Sequence, residues 1–354
     1  MAGADIPVDR RALAAWLTDA LGRDIATDTL AISRPSGGGW SNDTLFVDVR
    51  GAPVDRVVVR LAPSGPAMFP FYDLAHQIEV MRRVASSGHV AVPAVLADDT
   101  GGARLGRPAF VMSFVPGRVP VDDRPSFAEA GFLHDADPAD QRTFHTGLLD
   151  AIVRVHQTDT RAFAPARDSG DSTVQAALDD LQATWRFDPG DRWSDTVDHA
   201  FAALAEGVPE PGEDLLLWGD ARPANVIVDN EGFRPIALLD WELATIGPPE
   251  LELTWLAEMN RMRMQGSGVA PLPGFLSDES AIDYYEARTG RTLGHLAWFT
   301  LFSATRVAAL MHRHLRVMVH LGRLPADHRL LTRTIASDRV ADLLGDDRGR
   351  RIGS

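Results

Sequence analysis

Asp220 and Asn225 stand five residues apart in the stretch Trp218-Gly219-Asp220-Ala221-Arg222-Pro223-Ala224-Asn225, and Asp240 follows at the end of an apolar run, 235–239. Between them lie a short apolar strand and the turn residues Asp229-Asn230-Glu231-Gly232, so the chain returns as a hairpin and brings Asp240 back beside Asn225. A loop carboxylate, an amide oxygen and a second carboxylate form a donor set for phosphoryl transfer. The first orients an attacking hydroxyl and accepts its proton, while the other two hold a divalent cation against phosphate oxygens. Asp220 fits the first role; Asn225 and Asp240 fit the second. Arg222 sets a permanently charged fork in the same loop, where it can steady charge on the transferred group. An isolated Asp-x4-Asn also caps ordinary turns. The specific signal is the whole set, with the hairpin and an Asp following a strand of Ile and Leu.

The elements that must hold these residues fall into two parts. Leu13, Trp16, Leu17, Ala20 and Leu21 recur at helical spacing near the start of the chain. Strand-like runs follow at 30–33, 44–49 and 56–61, the last two joined by a Gly51-Ala52-Pro53 turn. A helix is expected over 73–86, closed off by Gly88 and Pro93, and then a strand pair at 94–98 and 109–114. Past Pro116-Gly117 the pattern is mostly helical, over 140–157, 172–186, 194–206 and 297–321, with a β-rich interruption at 215–241.

Composition narrows the field. The 354 residues carry 35 basic and 49 acidic side chains, a formal charge of −14, which argues against nucleic acid as a partner. There is no cysteine, which excludes disulfides, thiol catalysis and thiolate metal sites. All 35 basic residues are arginine, so a GK[ST] phosphate loop, Schiff-base chemistry and a Ser–Lys dyad are excluded as well. No unbroken apolar run approaches the roughly 18 residues a membrane helix needs, so no membrane partner is expected and a cytoplasmic location is the expectation. His312 and His314, two apart on an expected helix, point to different faces and do not chelate together. The oligomeric state is not readable from the sequence.

The segments 218–225 and 239–249 resemble the aminoglycoside phosphotransferase and choline kinase group, relatives of the protein kinases. The usual pattern there is H-G-D-x4-N, a hairpin, and an I-D-W-E-like element. The resemblance is closest to the branch related to kinase-like domains fused to some acyl-CoA dehydrogenases, with its HGDFRxDN and LDWELxTxGDP segments. Two positions depart from it: Trp218 stands where the family has His, and Pro248 where it often has Asp. The resemblance implies an α+β, bilobal protein kinase-like fold. The N-terminal helix and a small antiparallel β-sheet lobe that holds nucleotide would occupy 1–113, and a larger helical lobe with the catalytic loop and substrate site 114–344; the polar, Gly/Arg-rich residues 345–354 are expected to form a flexible tail.

Further roles follow from the same resemblance. Gly37, Gly38, Gly39, Ser41 and Asn42 would cover the phosphates. Arg60 would grip them from the end of a strand, where protein kinases carry Lys, and Glu79 on the next helix would pair with it. Backbone groups around Met112 and Phe114, in the hinge-like 109–117 segment, would bind adenine. The implied cofactors are ATP or another NTP and Mg2+. The implied acceptor is the hydroxyl of a small molecule, a hydroxy-acyl compound or an amino alcohol. The alternative is a catalytically weak or inactive kinase-like module that binds a nucleotide or metabolite.

Overall fold

Asp9 caps the first helix, α1 (Arg10–Leu21), by accepting from the amides of Arg11 and Ala12, and Gly22 ends it in the left-handed region at φ 63°. The structure, a computed structural model, describes residues 8–35, 42–51, 55–63, 65, 68–70, 72–162, 172–187, 194–210 and 212–345. Gly37, Gly38, Gly39 and Ser41 of the glycine-rich loop, and the expected tail from 346 onward, lie outside the described residues.

Five strands form an antiparallel sheet: β1 (Leu30–Ser33), β2 (Asp43–Val49), β3 (Asp55–Leu61), β4 (Val95–Asp99) and β5 (Ala109–Ser113), in the order β1-β2-β3-β5-β4. The alternation along β3 decides its two faces. Val57, Val59 and Leu61 pack with Leu13, Trp16 and Leu17 of α1, whereas Val58 joins Phe110, Met112 and the buried face of α2 (Leu74–Ser87). Arg60 therefore shares a face with Val58, and it sits opposite Thr44 on β2 and Phe110 on β5.

Beyond β5 the chain is mainly helical: α3 (Pro138–Val155), α4 (Thr173–Arg186), α5 (Asp195–Ala205), α6 (Pro249–Ser267), α7 (Asp278–Thr289), α8 (Leu296–His320) and α9 (Ile335–Leu343). Two short antiparallel ladders lie within this part. One pairs β6 (Leu215–Leu217) with β9 (Thr245–Gly247), and the other pairs β7 (Val226–Val228) with β8 (Pro235–Leu238). The apolar runs at 225–229 and 235–239 and the turn between them located the β7–β8 hairpin; the three-residue β9 and its return to β6 carry no such signal. Arg118, just past β5, exchanges backbone hydrogen bonds of 2.8 Å with Val228 and so fastens the connector to the hairpin. No helix among the described residues is long and apolar enough to cross a membrane.

A buried histidine, His145, and a partly buried one, His312, give the fold a pH dependence. His145 stacks on Phe275 at 4.4 Å and accepts from the Leu276 amide at 2.9 Å. Burial, helped by Arg142, pushes it down to about 4, and burial with Arg316 and Arg313 does the same to His312. Both folded values lie below the ordinary 6.5, so the unfolded chain takes up these protons first. Their stabilising effect is present above pH 6.5 and is lost as pH falls from 6.5 towards 4. By pH 5 the loss from His145 is about 2 kcal/mol. Urea midpoints at pH 7 and pH 5 measure it; equal midpoints would contradict the assignment.

Candidate active site

The loop between β6 and β7 is held from beneath before it holds anything itself. The buried carboxylate of Glu252, on the first turn of α6, accepts from the backbone amides of Trp218 (2.9 Å) and Gly219 (2.7 Å). It also meets His156 Nε2 at 3.1 Å, while His156 Nδ1 meets the Tyr285 hydroxyl at 2.8 Å. Gly219 adopts φ 87°, and a Cβ there would overlap the carbonyl of Leu243, so only glycine fits. Trp218 is wholly buried and donates from Nε1 to the Leu239 carbonyl at 2.7 Å. The indole thus braces the loop against the residue preceding Asp240.

Asp220 is 8% exposed and receives three hydrogen bonds. Trp255 Nε1 of α6 donates to Oδ1 at 3.1 Å; Arg222 Nε (2.9 Å) and Asn225 Nδ2 (2.7 Å) donate to Oδ2. Each carboxylate oxygen has two lone pairs, so Oδ2 is saturated by described residues while Oδ1 keeps one position for a further donor. Asn225, in the 3-10 turn Pro223–Asn225, also donates to the Asp220 carbonyl at 3.0 Å. Its Nδ2 is thereby committed to Asp220, which turns Oδ1 the other way.

The hairpin returns as expected. The Leu239 amide donates to the Asn225 carbonyl at 2.8 Å, which sets Asp240 beside Asn225. Asp240 itself has φ 59°, an uncommon backbone conformation that asparagine and aspartate tolerate best. Its Oδ1 accepts from Arg60, and no described residue donates to Asp240 Oδ2 or to Asn225 Oδ1. An amide oxygen and a carboxylate oxygen with open lone pairs are the hard donors Mg2+ takes when phosphates supply its remaining oxygens. Among the described residues no group of three or more His, Asp or Glu is arranged to hold a metal, so a site here depends on this pair and a ligand's own oxygens.

On the side of the helical lobe the loop meets cations. Arg222 bridges Asp220 and Asp122, and Arg263 of α6 donates to the same Asp122 carboxylate at 2.6 Å. Burial works against charge on Arg222, but Asp220 and Asp122 more than offset it and raise its pKa. Arg306 of α8 donates to the Gly219 carbonyl at 3.0 Å and lies over the Trp255 ring at 4.1 Å. Asp122, Trp255, Glu252, Arg263 and Arg306 were not anticipated. The only sequence signal was the Glu252-x-x-Trp255 spacing, which sets both on one helix face.

On the sheet side one expectation is corrected. Arg60 does not pair with Glu79. Glu79 lies on the outer face of α2, exposed, with Arg83 as its partner. Arg60 is buried and contacts Asp240 (3.0 Å) and Glu242 (3.7 Å). Burial disfavours its charge, but the two carboxylates prevail and its pKa is raised. Asn42 donates to Glu242 at 2.6 Å. Met112 is buried within β5, paired to Val58 on one side and Val95 on the other. Phe114 leaves the sheet and meets Phe46 edge-on at 5.9 Å. A surface hollow of about 600 Å3, lined in part by Glu79, Arg82 and Arg83, lies on the outer side of α2, apart from Asp220.

A family model described as the phosphotransferase enzyme family matches residues 33–291. Acyl-CoA dehydrogenase family member 10 of Mus musculus is 26% identical over 223 residues, which is 61% of this chain but 19% of that protein. The chain thus spans less than a third of that relative. A crystal structure of a candidate aminoglycoside phosphotransferase from Ralstonia eutropha matches with a TM-score of 0.65 at 21% identity, covering 95% of this chain and 96% of that one. An aminoglycoside phosphotransferase solved as a ternary complex with AMP-PNP and hygromycin B matches with a TM-score of 0.58 at 17% identity, covering 96% and 99%. These structures share the bilobal protein kinase-like fold.

Proposed function

The chain belongs to the phosphotransferase enzyme family, and from that premise we propose that it transfers the γ-phosphoryl group of ATP, or another NTP, to the hydroxyl of a small molecule with Mg2+ as cofactor. The observation that carries this reading is the convergence of Asp220, Asn225 and Asp240, each with lone pairs left open. The hydroxyl donates to Asp220 Oδ1, the position its other partners leave free. As the new O–P bond forms and the bond to the leaving diphosphate breaks, the proton passes to Asp220. Asn225 Oδ1 and Asp240 Oδ2 would hold Mg2+, which when bound neutralises phosphate oxygens. Arg222 keeps Asp220 in register. Arg60 brings positive charge to the nucleotide side, contributed by the 1–113 lobe.

The acceptor would come from the 114–344 lobe, on the side of Asp220 where Asp122 holds Arg263 and the Gly219 carbonyl holds Arg306. The likeness to acyl-CoA dehydrogenase family member 10 favours a hydroxy-acyl acceptor over an amino alcohol or a polycationic aminoglycoside. The test is a donor and acceptor screen read by mass spectrometry, with MgATP or MgGTP against hydroxy acids, hydroxyacyl-CoA esters, choline, ethanolamine and aminoglycosides. ADP and a phosphorylated hydroxy-acyl product, both abolished by EDTA, are expected. Phosphorylation confined to the amines would overturn the acceptor reading. Nucleotide binding with no transfer to any acceptor would favour the binding-module alternative.

A further inference from the structure

In the two-lobed arrangement described above, the strand cation Arg60 lacks the helix glutamate that the sequence resemblance assigned to it. We infer that Glu242, two residues past Asp240, is the positioning residue for Arg60, and that with Asn42 it ties the nucleotide-side cation to the helical lobe. The inference deepens the phosphotransferase reading and rests on it for the nucleotide.

Three observations carry it. Glu242 Oε2 lies 3.7 Å from Arg60 Nη2 and accepts from Asn42 Nδ2 at 2.6 Å, so a single carboxylate oxygen contacts both β3, through Arg60, and the residue that leads into β2. Glu79 cannot compete, because its side chain is 55% exposed and engaged by Arg83 on the same helix. Finally, Arg60 Nε and Asn42 Oδ1 are both buried without a hydrogen-bond partner among the described residues. A buried donor and a buried acceptor left open beside this pair are groups that a phosphate oxygen and a nucleotide hydroxyl or amino group satisfy.

The physical consequence is a change of control. Where a strand cation is held by a helix carboxylate, the helix must swing in to complete the site. Here the carboxylate is on the chain segment that also carries Asp240, so one element sets both the cation and the metal-binding oxygen. The reach of Arg60 then does not depend on where α2 sits. Asp240 alone does not suffice, because an Arg60 resting only on Asp240 competes with the divalent cation for that carboxylate.

The experiment compares Glu242→Gln, Asn42→Ala and Glu79→Gln in the full chain. For Glu242→Gln the KM for MgATP should rise about tenfold with kcat within threefold of the parent. Asn42→Ala, which removes no charge, should show a smaller rise in the same direction. Glu79→Gln should match the parent in both. A second readout needs no turnover: modification of Arg60 by an arginine-directed dicarbonyl, followed by peptide mass spectrometry without nucleotide. Arg60 should be protected in the parent and in Glu79→Gln, and modified in Glu242→Gln. Unchanged protection in Glu242→Gln, or loss of protection in Glu79→Gln, would overturn the pairing. A parent that binds no nucleotide would sink the phosphotransferase reading instead, while the dicarbonyl result still decides which glutamate holds Arg60.

Discussion

Asp220→Asn should bind MgATP as the parent does and transfer phosphate about a thousandfold more slowly. The substitution keeps the shape of the side chain but replaces an acceptor oxygen with a donor. If the new amide nitrogen took the Oδ2 position it would face both Arg222 Nε and Asn225 Nδ2, two donors. At the Oδ1 position it faces only Trp255 Nε1, so that orientation costs less. The amide then points a donor at the place where the substrate hydroxyl must donate, and there is no base to receive the proton. The mismatch with Trp255 also lowers stability by about 1–3 kcal/mol, the usual effect of an opposed buried donor. Nucleotide affinity and kcat, measured separately, check the expectation. Turnover within tenfold of the parent would remove Asp220 from the chemistry.

Gly219→Ala should do comparable damage by another route. Its backbone lies at φ 87°, and the added methyl group would collide with the Leu243 carbonyl, a backbone atom with no side-chain freedom to yield. Gly219 is also fixed at both ends of its peptide unit, by Glu252 at the amide and Arg306 at the carbonyl. Relief therefore requires the loop to move, and Asp220 is the next residue. Activity should fall by more than a hundredfold, with a stability loss of about 2–4 kcal/mol from strain and broken buried hydrogen bonds. Gly266→Ala is the control. It lies within α6 with nothing within 4 Å of the added Cβ, and it should gain roughly 0.5–1 kcal/mol from helix propensity. Equal melting temperatures for the two variants would refute the steric argument.

The arrangement of the 218–225 loop was legible because its residues are close in sequence and joined to Asp240 by a hairpin, whose geometry is local. Asp220 bonds to Asn225, and Leu239 returns to the Asn225 carbonyl with Asp240 next in the chain, for that reason. The α2 helix and all five strands of the small sheet were readable from periodicity for the same reason. What could not be read is what arrives from far along the chain. Trp255, Arg263 and Arg306 sit on helices whose apolar residues announce only that a face is buried, not what it is buried against. Asp122 comes from an irregular connector with no period. The misplaced partner of Arg60 is the instructive case. Glu79 has the right type and falls on the right helix, but one helix offers several rotational positions. Glu79 is on the face turned to solvent, where Arg83, one turn along, captures it. Trp218 shows the converse. It breaks the expected motif, yet its indole N–H restrains the same loop through the Leu239 carbonyl.

Arg60 has one more consequence, for detection. Reagents that tag nucleotide-binding enzymes by acylating a primary amine beside the triphosphate rely on a lysine ammonium at that strand. In the proposed site the group is a guanidinium, and none of the 354 residues is lysine. Such amine-directed probes, and chemoproteomic surveys built on them, should pass over this protein however well it holds its nucleotide. Photoreactive nucleotide analogues are the labels that should find it.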